Sequence, residues 1–271
     1  MAEYEVYEAR ADAGRALEVA ETTSPFTITV KFVGGLSETQ KAAFKRAADR
    51  WARIIVGDLP DVTLDGERID DVLILAEGTA IDGVGNVLGE AGPTHVRVGG
   101  PPCRGVMRFD SADLAQMEGE GTLVDVITHE MGHVLGIGTL WEGLVAGPGS
   151  PDPRYTGRVA MVEYEALQGD GEFETVPVEN EGGDGSRDSH WRESVFRNEL
   201  MSSAIGGVGN PISRLTAASL IDLGYRVDLD AAEPYRLPTG GPEAVEPVRR
   251  RGKFLRPATT VVAPEESAPA T

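Results

Sequence analysis

Two imidazoles and one carboxylate stand together in His129-Glu130-Met131-Gly132-His133-Val134-Leu135-Gly136, and the 271-residue chain has only four histidines in all. Residues four apart on a helix lie one turn above each other, so His129 and His133 can offer nitrogens to one metal ion at about 2.0–2.1 Å. Glu130 projects near the open coordination position, where a carboxylate can take a proton from an activated water. The chemistry implied is metal-assisted hydrolysis. The competing reading is a helix with two satisfied histidines and a surface glutamate.

The elements around the motif must position it. Leu123, Val126, Ile127, Met131, Val134 and Leu135 recur at three- and four-residue spacing, which predicts a helix packed on a core. Gly121 falls near its start, and Gly136 ends it where a positive φ lets the chain turn away. A third ligand must come from beyond that turn. In the compact form of the motif it would fall at position 139, which is Thr139 and no zinc ligand. His95 lies in the alternating segment Thr94-His95-Val96-Arg97-Val98 and reads as a strand residue. His190, in Asp188-Ser189-His190-Trp191-Arg192-Glu193, is the better candidate, and Asn198-Glu199-Leu200-Met201-Ser202-Ser203 follows it closely.

On these residues the chain resembles the leishmanolysin-type metzincins, in which a long insertion separates the helix-ending glycine from a third histidine followed by Trp, and then Glu-Leu-Met. The resemblance implies one zinc ion per chain held by His129, His133 and His190, with Glu130 as general base and Met201 as a structural methionine turn beneath the metal. Weaker likeness runs from about residue 25 to 238, through Phe26–Val33, Gly105–Asp110 and Pro211–Tyr225. Its implied fold is α+β: a mixed twisted sheet with two long helices in the N-terminal part, then a mostly irregular C-terminal part with a closing helix. Leishmanolysin is disulfide-rich and carries a propeptide, whereas this chain has one cysteine and no obvious pro-segment.

Along the chain, residues 1–24 form an acidic, Ala-rich extension with a short helix expected around Ala9–Val19. Residues 25–238 make the catalytic domain, and the Pro/Ala-rich stretch 239–271 is expected to be disordered, because it has too little apolar area to offset chain entropy. Phe26–Val33 alternates as a strand. Ser37 and Gln40 form a capping box that opens a helix with the apolar stripe Phe44, Ala47, Trp51, Ile54 and Ile55. Val72–Ala76 reads as a strand buried on both faces, and Gly83–Gly89 as turn and edge strand. The 80–98 region is the candidate rim on which an extended peptide adds as a strand. A helix is expected over Arg158–Leu167. The acidic loop 179–188 could bind Ca2+ through its oxygens, though a solvated loop is the favoured reading.

A net charge of −19 argues against nucleic-acid partners and anionic membranes. No run of 18 apolar residues suggests a membrane span. Cys103, alone, cannot form an intrachain disulfide; a thiol capping the zinc as a latency switch is the alternative to a plain buried residue. No signal peptide is visible in the acidic Met1–Glu8, and only the resemblance favours an extracellular location. The expected activity is a monomeric zinc endopeptidase acting on protein or peptide. Its rivals are a zinc-stabilised binding module without proteolysis, and a narrow hydrolase of small peptides or amides.

Overall fold

The computed structural model describes residues 4–85, 87–169, 171–183, 185–205, 207–238, 253–255 and 258–263. In chain order, β1 (Glu5–Arg10) and α1 (Ala13–Ala20) precede β2 (Thr27–Gly34) and the long α2 (Glu38–Ile54). The β3–β4 hairpin (Val62–Leu64, Glu67–Ile69) leads to β5 (Val72–Thr79), β6 (Val87–Arg97) and β7 (Pro102–Asp110). Helices α3 (Ser111–Glu120) and α4 (Leu123–Val134) follow. The later part holds β8 (Val145–Ala146), β9 (Arg154–Tyr155), α5 (Arg158–Gln168), β10 (Val176–Pro177), the one-turn α6 (Glu193–Phe196) and α7 (Arg214–Asp222). Two short strands, β11 (Lys253–Leu255) and β12 (Thr260–Val262), close the described chain.

The architecture is α+β on a mixed sheet of order β1-β2-β5-β7-β6, with β11 and β12 both on the outer edge of β6. The pairs β2·β5 and β5·β7 are parallel, while β1·β2 and β6·β7 are antiparallel. Side chains of a strand alternate between faces. On β5, Val72, Ile74 and Ala76 enter the main core, whereas Leu73 joins Val62, Ile69 and Cys103 in a second cluster beneath the β3–β4 hairpin. Helices α2 and α4 pack on each other over the main core. The expected capping box starts α2: Gln40 N–H donates to Ser37 Oγ at 3.2 Å, and Ser37 N–H to Gln40 Oε1 at 2.9 Å. Trp51 at its far end is fully buried and donates its indole N–H to the Thr128 carbonyl at 2.9 Å, tying α2 to α4.

Several sequence expectations are revised. Residues 5–10, expected within an extension, form an edge strand of the sheet, so their helix is confined to Ala13–Ala20. Helix α3 and the small β10-β9-β8 sheet carried no clear periodic signal. Cys103 is buried, and its Sγ donates to the His95 carbonyl at 3.5 Å. Burial pushes its thiol pKa up. It lies in the cluster beneath the hairpin, which removes the latency-switch reading. The expected disordered stretch 239–271 falls mostly outside the described residues; the parts of it that are described include β11 and β12. Among the described residues no helix is long and apolar enough to cross a membrane.

Candidate metal centre

Helix α4 begins after Gly121, whose φ of 75° closes α3, and the predicted stripe faces the core, with all of its members buried. Its C-terminal end is finished by side chains that read in sequence as incidental. Thr139 Oγ1 donates to the His133 carbonyl at 2.7 Å, and Tyr225 Oη to the Leu135 carbonyl at 2.9 Å. Orphan carbonyls at a helix end need such donors. The hydroxyl that makes position 139 useless as a zinc ligand therefore caps the helix.

Past Gly136 (φ 109°), the chain turns back through Gly138 (φ 71°). A Cβ at 138 would lie 1.9 Å from the Ser189 carbonyl oxygen, so only glycine lets this turn meet the segment carrying His190. That contact closes the insertion between the second and third histidines.

The three imidazoles then converge. Their Nε2 atoms are separated by 3.1 Å (His129–His133), 3.1 Å (His129–His190) and 3.0 Å (His133–His190). Each Nδ1 faces a backbone carbonyl: Leu200 at 2.6 Å from His129, Ile137 at 2.8 Å from His133, and Ser186 at 2.9 Å from His190. A carbonyl can only accept, so each Nδ1 carries the proton and each Nε2 is left with its lone pair. Three lone pairs held this close repel one another unless a cation lies between them. Ligands about 2.0–2.1 Å from a tetrahedral ion sit roughly 3.3 Å apart, close to the spacing found. The donor set therefore fits zinc. Glu130 is buried next to His129 on the same helix.

Met201 is fully buried. A Cβ added at Gly132 would stand 2.8 Å from Met201 Sδ and 3.0 Å from Trp51 Cζ2. Glycine inside the motif thus makes room for the thioether. The carboxylate of Glu199 organises this layer, accepting from Met201 N–H (2.6 Å), Ser213 N–H (3.1 Å) and Oγ (2.7 Å), and Thr216 Oγ1 (2.5 Å). Burial pushes its pKa up against those donors. Thr216 Oγ1 in turn accepts from the indole of Trp191 at 2.8 Å. Nothing local in the sequence marks Glu199 as a buried carboxylate, because its side-chain donors lie 14 and 17 residues downstream.

His95 is on β6, half-buried beside the Thr94 hydroxyl at 3.0 Å, and takes no part in the triad. In the acidic loop 179–188, where Ca2+ is the lesser reading beside a solvated loop, the carboxylates turn to protein donors. Glu179 is buried and accepts from Asn180, Glu181 and Glu193 N–H groups and from Ser203 Oγ, while Asp188 Oδ2 accepts from Gly149 N–H. These oxygens organise the loop that carries His190, and among the described residues no metal-ligating group forms there. A second acidic trio, Asp58, Asp70 and Asp71, brings carboxylate oxygens within 4.8 Å of one another. Burial pushes Asp71 up to about 7, although Leu59 and Thr27 N–H groups bind it.

A family described as Leishmanolysin matches residues 163–238, the part that supplies His190, Met201 and the closing helix α7. Leishmanolysin of Leishmania donovani is 27% identical over 214 residues, covering 72% of this chain and 35% of that protein. The Leishmania chagasi protein is 28% identical over the same shares, and the Leishmania major protein is 31% identical over 144 residues, 49% of this chain and 23% of its own. The chain is therefore leishmanolysin-like, and it spans about a third of the length of the first two relatives.

Proposed function

We propose that the chain is a zinc-dependent endopeptidase of metzincin type. The observation that carries this reading is the convergence of three Nε2 lone pairs within 3.1 Å, each fixed by a backbone carbonyl on the opposite ring nitrogen. A zinc ion held by His129, His133 and His190 would supply Lewis acidity, lowering the pKa of water and polarising the scissile carbonyl. Glu130 accepts the proton of the attacking water and delivers it to the leaving amine. Burial of Glu130 strengthens that exchange by removing competing solvent.

Met201, packed against Gly132 and Trp51, acts as the methionine turn: it supports the imidazoles from below and binds nothing. Strand β6 lies against α4 and serves as the rim on which an extended peptide adds. The catalytic unit is residues 25–238 completed by the β1 edge strand, working as a monomer, and its substrate is a protein or peptide. An extracellular site of action rests on the resemblance alone.

The test is zinc stoichiometry measured beside casein hydrolysis for wild type, Glu130→Ala and His190→Ala. The expected outcome is one zinc per chain, hydrolysis lost by roughly 10²–10⁴-fold in Glu130→Ala with the metal retained, and weakened metal in His190→Ala. Wild type that binds zinc yet cleaves neither casein nor a fluorogenic peptide library would favour the zinc-stabilised binding module. Cleavage of short peptides alone would favour the narrow hydrolase.

A further inference from the structure

The outer edge of β6 is already taken. An edge strand presents a row of unpaired N–H and C=O groups, and it is this row that an added peptide would pair with. The inner edge of β6 is bound by β7. On its outer edge, Lys253, Phe254 and Leu255 stand opposite Val87, Gly89 and Glu90, and Thr260, Val261 and Val262 opposite His95, Val96 and Arg97, both in parallel. Two further bonds anchor the second strand: Val98 N–H donates to the Val262 carbonyl at 2.9 Å, and Thr259 Oγ1 to the Pro93 carbonyl at 2.9 Å. Val262 also packs against the cluster beneath the β3–β4 hairpin.

Strand β6 packs against the helix that carries His129 and His133. Val134, the residue after His133, lies where a Cβ on Gly105 of β7 would be 2.4 Å from its methyl and 2.8 Å from the Gly92 carbonyl of β6. The middle of β6 thus lies close to the histidine-bearing end of α4. Strand β12 is held lightly. Thr259, Thr260 and Val261 are exposed, and only Val262 of β12 is half-buried. Segments with few buried contacts open at low cost. A tethered segment nonetheless competes at an effective concentration of the order of mM.

We propose that β11 and β12 occupy the substrate strand position on β6, so that the chain inhibits itself until this segment is displaced. The inference rests on the endopeptidase reading above. Its signature is competition: displacement lowers KM for a peptide and leaves kcat nearly unchanged.

The experiment uses the zinc-loaded full chain with two substitutions, Val262→Asp, which breaks the packing of β12 against the hairpin cluster, and Thr260→Pro, which removes a backbone donor on the side of β12 that faces β6. Steady-state hydrolysis of a fluorogenic peptide is measured for each, with zinc content and thermal midpoint as checks on folding. We expect KM to fall several-fold in both variants at unchanged kcat. A synthetic peptide of residues 253–263 should inhibit Val262→Asp competitively. If wild type cleaves and neither variant gains, or the added peptide does not compete, the self-inhibition is wrong while the protease stands. If no form cleaves anything despite one bound zinc per chain, the protease reading has failed and the inference falls with it.

Discussion

At the scale of single residues, the centre is oriented by the main chain. All three Nδ1 atoms face carbonyl oxygens, of Leu200, Ile137 and Ser186, so no side-chain substitution can remove these acceptors directly. The sensitive point is Glu199, which holds the turn that presents Leu200. Glu199→Gln keeps the shape but replaces two acceptor oxygens by one, stranding at least one buried donor at about 1–3 kcal/mol. We expect zinc affinity to fall by about 10-fold, in the range for loss of outer support, measured by chelator competition. Unchanged affinity would mean that the Met201 layer does not act on the metal. Gly132→Ala should also cost stability: the added methyl meets Met201 Sδ and Trp51 in a filled core, and overpacking costs about 1–3 kcal/mol. Urea denaturation of the two proteins would measure that loss directly.

At the scale of elements, two clamps decide how helices and rim meet. Arg50 on α2 reaches Asp125 on α4 at 3.1 Å, Glu233 at 2.7 Å and the Asn210 carbonyl at 2.7 Å. Arg50 is half-buried and Asp125 buried, so removing Arg50 leaves a buried carboxylate without its cation. Arg50→Ala should therefore cost about 3 kcal/mol in urea denaturation, and a change below about 0.5 kcal/mol would mark the pair as incidental.

The second clamp is Asp110, at the N-terminus of α3, which grips the loop leading into β6 by accepting from Ile81, Asp82 and Gly83 N–H groups as well as from Ala112 N–H. Burial works to raise this carboxyl, but the four donors outweigh it and hold it at about 2 against an ordinary 3.8. A depressed folded value contributes stability that is present above 3.8 and lost as pH falls through 2. Between pH 4 and 2, wild type should lose stability more steeply than Asp110→Asn. Parallel urea midpoints across that window would count against the clamp.

At the scale of the whole molecule, the histidine triad joins two parts of the chain. His129 and His133 come from a helix packed on the sheet, and His190 from the later part built around α5 and α7. An ion that binds only the folded arrangement stabilises it by mass action, about 2.7 kcal/mol at a free concentration 100 times its Kd. Thermal melts with zinc and with excess chelator should separate accordingly, and superimposable melts would mean that the triad does not hold metal in the folded protein. The edge position of β11 and β12 on β6 predicts a further difference in stability. Their amides should exchange with solvent well before those of β5 and β7, whose pairing lies inside the sheet.

The amino-acid sequence by itself determined what is local and periodic. The four-residue spacing of His129 and His133 puts them on one helical face whatever surrounds the helix, and the Ser37–Gln40 box, the α2 stripe and the doubly buried β5 follow from short-range patterns in the same way. The third histidine was legible by a different route: few histidines exist, and His190 stands beside a Trp and ahead of Glu-Leu-Met.

Only the tertiary structure decided the rest, because those contacts join residues that no period links. Gly138 is a glycine because Ser189 passes 1.9 Å from where its Cβ would be. Glu199 and Glu179 are buried carboxylates because backbone donors from separate segments close around them. Residues 5–10 became sheet because β2 had a free edge, and β11 and β12 pair because β6 had another. Backbone pairing of this kind is nearly indifferent to side-chain type, so composition could not foresee it.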